Sequence, residues 1–220
     1  MDFRERLKED EVIICDGAMG TLLYSLGVPL GSPVEEVNLS KPELVEDIHR
    51  QYISAGAEVI ETNTFGANRI KLEKYGLGDK VREINIKGVE IARRACNDKA
   101  FVAGSIGPLD RLLEPFGEAK LEEAREIFRE QASYLIEGGV DLIILETFHS
   151  LLELKTAVLA VKELDSSLPI IAQMSFSQEG RTSMGVTPSS LAVVMEGLGV
   201  DVVGANCGSG PEGILEALGE

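Results

Sequence analysis

An α/β fold built on a parallel sheet is predicted by three features of this 220-residue sequence. Short apolar runs alternate with longer amphipathic stretches, no run reaches the next through a hairpin turn, and each run ends in a small polar or acidic cluster. Alternation without hairpins implies parallel strands joined by right-handed crossovers. Runs that are apolar throughout fit strands covered on both faces. The six predicted strands lie at residues 12–17, 59–63, 101–105, 142–147, 170–175 and 202–207.

The helices between them follow from apolar residues at a period of 3.6. Residues 43–55 carry Leu44, Val45, Ile48, Tyr52 and Ile53, with Pro42 in the first turn, where its missing N–H costs nothing. Residues 79–96 repeat the pattern with Val81, Ile84, Ile86, Val89 and Ile91. Residues 121–137 do so with Ala124, Ile127, Phe128, Ala132, Leu135 and Ile136, and Gly138-Gly139 stops them. Residues 151–164 and 188–198 complete the set, the latter capped by Thr187, and a last helix begins near Pro211.

Two architectures fit this order. A doubly wound sheet binds nucleotides through a Gly-rich first turn. The first turn here, Asp16-Gly17-Ala18-Met19-Gly20-Thr21, lacks Gly-x-Gly-x-x-Gly, and no Gly-Lys-Ser/Thr occurs. A (β/α)₈ barrel of the TIM type spreads its site over all its strand ends, and the polar ends here favour it. Such a barrel has eight units and typically about 250 residues, whereas about six strand–helix units are readable. The expectation is therefore one domain over 1–220, a C-terminally incomplete barrel with uncovered sheet edges.

Composition narrows the class. A net charge of −16 argues against nucleic acid and against anionic membrane surfaces as partners. Three scattered cysteines, Cys15, Cys96 and Cys207, argue against a disulfide framework and for a reducing compartment. The opening MDFRERLKEDE has no signal-peptide core, and no apolar run approaches the ~20 residues of a membrane span. A cytoplasmic protein is expected.

The chemistry-bearing residues sit at the strand ends. Asp16 and Glu146 face each other across a barrel mouth. Such a pair serves as general acid and base, as a divalent-metal site, or as a clamp on a substrate ammonium group. Each alternatively caps the helix that follows. Cys207, flanked by glycines in Gly204-Ala205-Asn206-Cys207-Gly208-Ser209-Gly210, is a nucleophile or a zinc ligand. A nucleophile needs a base, and the two histidines are His49, read as a surface residue of its helix, and His149, just past the fourth strand. Cys15, Met19 and Met174 read as core residues, and Cys96 lies at the far end of a helix. Asn63-Thr64-Phe65 and Ser105-Ile106-Gly107-Pro108 offer uncharged donors for a carboxylate. The glycine- and arginine-bearing loop at 178–185 reads as a mobile cover or as an ordinary solvated turn. No lysine ends a strand, which counts against a Schiff-base aldolase.

These motifs together resemble the zinc-dependent homocysteine S-methyltransferase family. Asp16-Gly17-Ala18-Met19-Gly20-Thr21, Asn38-Leu39-Ser40-Lys41-Pro42-Glu43, Glu61-Thr62-Asn63-Thr64-Phe65, Gly104-Ser105-Ile106-Gly107-Pro108, Gly180-Arg181-Thr182 and Gly204-Ala205-Asn206-Cys207-Gly208 carry the resemblance in order. The Met-Gly-Thr and Glu-Thr-Asn-Thr-Phe variants look most like the N-terminal module of the family's cobalamin-dependent methionine synthases. Members that use betaine or S-methylmethionine are the nearer alternatives, with a metal-free amino-acid-binding barrel as a further one.

The resemblance implies a (β/α)₈ barrel that binds homocysteine and activates it as a zinc thiolate for methylation to methionine. It implies Asp16 and Glu146 on the substrate's ammonium group, Gly17, Asn63 and Ser105 in the same pocket, and Cys207 as the first zinc ligand. It also implies cobalamin on a separate module, with folate-binding and cobalamin-binding modules as partners. The family's other two zinc ligands are an adjacent cysteine pair in Gly-Gly-Cys-Cys-Gly. No such pair occurs in this sequence, so the chain is expected to be inactive by itself.

Overall fold

The computed structural model describes residues 2–208 and 210–220; Ser209 of the glycine-rich stretch lies outside the described residues. Among these, one sheet of five parallel strands runs in sequential order: β1 (Val59–Glu61), β2 (Phe101–Ile106), β3 (Leu142–Phe148), β4 (Ile170–Met174) and β5 (Val202–Ala205). Every neighbouring pair is parallel. Sequential order without a reversal is the winding of a β/α barrel, not of a doubly wound sheet. The first predicted strand is reduced to a single bridge, Cys15 to Val59. It keeps ladder bonds from Glu58 and Val59 to Ile14, but Val12 and Ile14 are exposed, because this segment is paired on its β1 side alone.

The connecting helices fall close to their predicted positions. After the short α1 (Phe3–Arg6), α2 (Gly20–Ser25) and α3 (Val37–Ser40) come α4 (Pro42–Ser54), α5 (Arg69–Glu73) and α6 (Val81–Cys96). Then follow α7 (Leu121–Gly138), α8 (Leu151–Leu164), α9 (Pro188–Gly197) and α10 (Pro211–Gly219). The capping signals act as the sequence indicates. Thr187 accepts from Ser190 N at the start of α9, and Gly139 ends α7 at φ 88°, a conformation a side chain disfavours. The helix predicted over 79–96 begins two residues later, at Val81, since Gly78–Lys80 forms a 3-10 turn.

Side-chain parity sorts the strands into two faces. Ile60, Val102, Ile143, Leu145, Ile170, Ala172 and Met174 pack outward against the helices in the main core. Val59, Ala103, Leu142, Ile144 and Ile171 point inward and form a smaller cluster with Phe3. Phe3 plugs the N-terminal end of the sheet and meets Phe101 edge-on, with ring centroids 5.4 Å apart. Burying that ring contributes about 2–3 kcal/mol.

One helix departs from its predicted exposure. His49, expected on the surface of α4, is fully buried, because α4 packs on more than one side, against α6 and against the cluster of Leu23, Val28, Val37 and Ile91. Cys15, expected in the core, is exposed. Met174 is buried as expected, whereas Met19 is half-buried.

Candidate functional site

Parity also fills the mouth. Two residues beyond Val59, Ala103, Ile144 and, at one further step of four, Val202 come Glu61, Ser105, Glu146 and Asn206, all on the inner face at the C-terminal ends. The first three open into a cavity of about 600 Å³ lined also by Asp16, Gly17, Met19, Glu35, Asn63, Phe65, Thr147 and Cys207, and Asn206 stands behind Glu146, to which it is bonded. All six predicted site residues, Asp16, Gly17, Asn63, Ser105, Glu146 and Cys207, therefore border one space. Ser175 does not line it; Gly208 lies against Ser175 and Phe176, so close that a Cβ would stand 2.3 Å from the Phe176 carbonyl oxygen.

Neither carboxylate of the predicted pair is spent on a helix cap. Ser150, not Glu146, caps α8, and no side chain caps α2. Asp16 Oδ2 accepts instead from Glu61 N at 2.9 Å. Burial pushes Asp16 up to about 7, the Glu61 N–H pulls the other way, and the charge of Glu146 adds to the rise. Glu146 is held from two sides: Ser105 Oγ donates to Oε1 at 2.6 Å and Asn206 Nδ2 donates to Oε2 at 3.0 Å.

Sequence reading missed Glu61 and Asn206. Glu61 sits between Asp16 and Glu146, and desolvation first, then the charges of Glu146 and Asp16, hold its carboxyl well above the usual range. Asn206 is the hub of the β3 and β5 ends. Besides Glu146 it donates to Thr147 Oγ1 at 2.9 Å, and its Oδ1 accepts from Thr147 N at 2.9 Å. Thr147 and Cys207 are both left-handed, at φ 63° and 58°. A β-branched residue at positive φ costs roughly 1–3 kcal/mol and persists where its surroundings over-determine it. The Asn206 bonds do so here, and Thr147 Oγ1 donates to Cys207 Sγ at 3.7 Å. The signal for both residues was present in the sequence, in the alternation of side chains along each strand.

Other predicted donors serve the frame. Asn63 is buried, and its amide donates to Val34 O at 2.8 Å and to Asn38 Oδ1 at 3.0 Å. Thr64 Oγ1 donates to Ser105 O at 2.8 Å. Gly17 makes room for Tyr52, whose hydroxyl would stand 2.9 Å from a Cβ and donates to Ala18 O. His149 does not reach the mouth. It lines a neighbouring cavity with Phe116, Leu152 and Met184, so it is no base for Cys207. The 178–185 loop is a set of tight turns closed by Ser177, Thr182 and Gly185 backbone bonds, and of its residues Ser183 and Met184 border that second cavity.

The site offers one thiol. Cys207 Sγ is exposed, while Cys96 is buried and its Sγ donates to Arg93 O. Among the described residues no group of three or more His, Cys, Asp and Glu side chains is arranged to hold a metal ion. A zinc site of three thiolates does not form from the residues present.

Residues 13–220 match the family model described as homocysteine S-methyltransferase. Methionine synthase of Mycobacterium tuberculosis (strain ATCC 25618 / H37Rv) is 35% identical over 94% of this chain, and that of Mycobacterium leprae (strain TN) is 34% identical over 99%. The chain spans 19% of the length of each. Betaine–homocysteine S-methyltransferase 1 of Sus scrofa is 34% identical over 97% of this chain and 77% of its own length. Among solved structures, the oxidized form of the homocysteine methyltransferase MmuM from Escherichia coli superposes with a TM-score of 0.79 at 24% identity. It covers 93% of this chain and 76% of its own, a likeness of fold.

Proposed function

The chain belongs to the homocysteine S-methyltransferase family, and from that premise we propose that residues 1–220 form a barrel domain that binds homocysteine for methylation to methionine. The observation that carries the reading is a cavity lined by Asp16, Glu35, Glu61 and Glu146 with no lysine, arginine or histidine among its described lining residues. Glu35 is answered by the Gly66 N–H and by the charge of Lys71. Asp16, Glu61 and Glu146 face no cationic side chain among the described residues, and such carboxylates at a strand-end cavity favour a ligand that brings its own positive charge. The α-ammonium group of an amino acid supplies it, through charge-assisted hydrogen bonds to Asp16 and Glu146. Ser105 and Asn206 fix Glu146 in advance, so less ordering is left for binding. An ammonium group at this place also favours ionised Asp16, whose carboxyl otherwise titrates near 7.

With its amino end at Asp16 and Glu146, the substrate has its thiol free to extend along the cavity wall toward Cys207. A zinc ion, when bound, would supply the Lewis acidity that holds such a thiol as its thiolate. Cys207 would be one ligand. Because the present residues bring one thiol to the site, no step is assigned to the metal, and methyl transfer by this chain alone is not expected. The methyl donor in the favoured reading is methylcobalamin on a separate module, with folate-binding and cobalamin-binding modules as partners. The identity to the mycobacterial methionine synthases over nearly the whole chain supports it. The identity to the pig enzyme supports betaine instead, and the single thiol supports a metal-free amino-acid-binding barrel. The three free thiols suit a cytoplasmic setting; no described helix is long and apolar enough to cross a membrane.

Calorimetric titration with homocysteine, with and without zinc, tests the reading. Binding without zinc that is lost in Asp16→Asn, with a zinc-dependent gain in affinity absent from Cys207→Ala, supports it. Binding indifferent to Asp16→Asn would sink the ammonium assignment, and binding indifferent to both zinc and Cys207→Ala would leave the metal-free barrel.

A further inference from the structure

The mouth has a neighbour. Val34, Glu35 and Phe65 line it and also line a second cavity of about 200 Å³, bordered from the other side by Lys71, Lys74, Tyr75 and Asp110. Phe65 is the bulkiest part of that shared wall, and its ring is held from two directions. Gly107 lies so close that a Cβ there would stand 2.4 Å from the ring, and the Gly107 N–H donates to the Phe65 carbonyl at 2.9 Å. Lys71 Nζ lies 4.8 Å from the ring centroid, and Asp110 holds that ammonium group at 3.1 Å. A ring held in this way stands as a partition between two spaces.

We infer that Phe65 is a specificity-determining residue of this pocket. It closes the space on the carboxyl side of the ligand, so that the site takes homocysteine as a free amino acid and rejects it as the first residue of a peptide. The inference rests on the ammonium-binding reading above and adds the direction of the ligand's third group. With the ammonium group at Asp16 and Glu146 and the thiol directed toward Cys207 after β5, the carboxyl is left for the ends of β1 and β2. In the sheet β1 stands four places from β5, which in a barrel winding is the far side of the mouth. Phe65 and Gly107 follow β1 and β2. A peptide continuing past the carboxyl carbon therefore meets the ring. With the ring removed it would enter the second cavity, where Lys74 offers its charge to a terminal carboxylate.

The distinguishing ligands are homocysteine and homocysteinyl-glycine, which share the ammonium group and the thiol and differ past the carboxyl carbon. In equilibrium dialysis the unsubstituted chain is expected to bind the dipeptide at least about tenfold more weakly, the lower end of what a misfitting group costs in a closed pocket. In Phe65→Ala the dipeptide should gain about tenfold while homocysteine loses affinity, so that the two change in opposite directions. Phe65→Leu should move the ratio the same way by less, and it stands in if thermal unfolding shows that Phe65→Ala does not fold. Equal losses for both ligands would overturn the proposal, because a residue of the frame weakens both alike. An unsubstituted chain that binds the two equally would also overturn it, since the carboxyl would then face solvent. A crystal structure of the unliganded Phe65 variant decides the partition without any ligand. One continuous cavity is expected, and two separate ones overturn the proposal. Failure of the unsubstituted chain to bind homocysteine would sink the functional reading instead, and the crystal structure would still decide the partition.

Discussion

The two ends of the same strands treat their acids in opposite ways. At the N-terminal ends, Glu58, Asp141 and Asp201 each immediately precede or flank a strand, and each is paired with an arginine. Glu58 meets Arg6 at 2.9 Å, Asp141 meets Arg93 at 2.8 Å, and Asp201 takes two bonds from Arg4. Asp141 and Asp201 also accept backbone N–H groups of Val102 and Ile170, tying one strand to the next. At the C-terminal ends Asp16, Glu61 and Glu146 converge with no arginine or lysine lining their cavity. A charge that is paired and hydrogen-bonded within the fold contributes to the fold; one left for a ligand is held at a cost to it. On the proposed reading, one end contributes stability and the other is kept for the ligand.

Exchanging the charges should separate those roles. The largest effect is expected from Glu146→Gln, which removes one charge from the mouth without changing its shape. Homocysteine affinity should fall about 30- to 100-fold, the worth of a charge-assisted hydrogen bond of about 2–3 kcal/mol. The melting temperature should hold or rise, because repulsion with Asp16 is relieved. Calorimetry and thermal unfolding on the same samples check both halves. A variant that loses stability along with affinity would mean that Glu146 belongs to the frame.

At the other end, Asp201→Asn should lower stability by about 2 kcal/mol, by leaving the Arg4 guanidinium without its carboxylate, and leave homocysteine affinity unchanged. Burial works against the Asp201 charge, but the Arg4 and Ile170 donors hold its carboxyl below the usual range. A depressed carboxyl stabilises the fold at neutral pH and loses that contribution as pH falls through its folded value. Urea unfolding near neutrality and again in acid should therefore show the variant and the parent converging. A constant gap would show that the effect is packing and not charge.

The sequence carried the winding of the sheet, the helix positions, the caps at Thr187 and Gly139, and a set of strand ends that do meet. These are local properties, written in periodicity and in residue type. What escaped it depends on neighbours. Glu61 and Asn206 look like ordinary polar residues until the inner face is traced through Val59 and Val202, two and four positions earlier. The segment at 12–17 has the apolar run of a strand but ladders with one neighbour, so its regular structure shrinks to the bridge at Cys15. Asn63 borders the cavity, but its amide donors are already engaged by Val34 and Asn38. Tertiary partners decide which polar atoms remain for a ligand, and spacing alone does not list those partners.

His49 is the sharpest instance, and it yields the smallest effect expected at neutral pH. Val45, His49 and Tyr52 lie at helical spacing on one face of α4, so the position was legible as interior; the polarity of histidine argued otherwise. Neither ring nitrogen has a partner, and burial pulls the imidazole down to about 4, with Glu46 pulling weakly upward. Between about 4 and its ordinary value near 6.5 the unfolded chain binds a proton that the folded chain refuses, so stability falls as pH drops through that window. His49→Leu removes both the unpaired nitrogens and the proton. Near neutrality it should add about 1 kcal/mol, the lower end of the cost of a buried unsatisfied group. Under acid the advantage should widen, because the parent alone then bears the cost of that proton. Unfolding free energies measured at steps between pH 7 and 4 check it. A gap that stays flat with pH would mean that His49 finds a hydrogen-bond partner in solution.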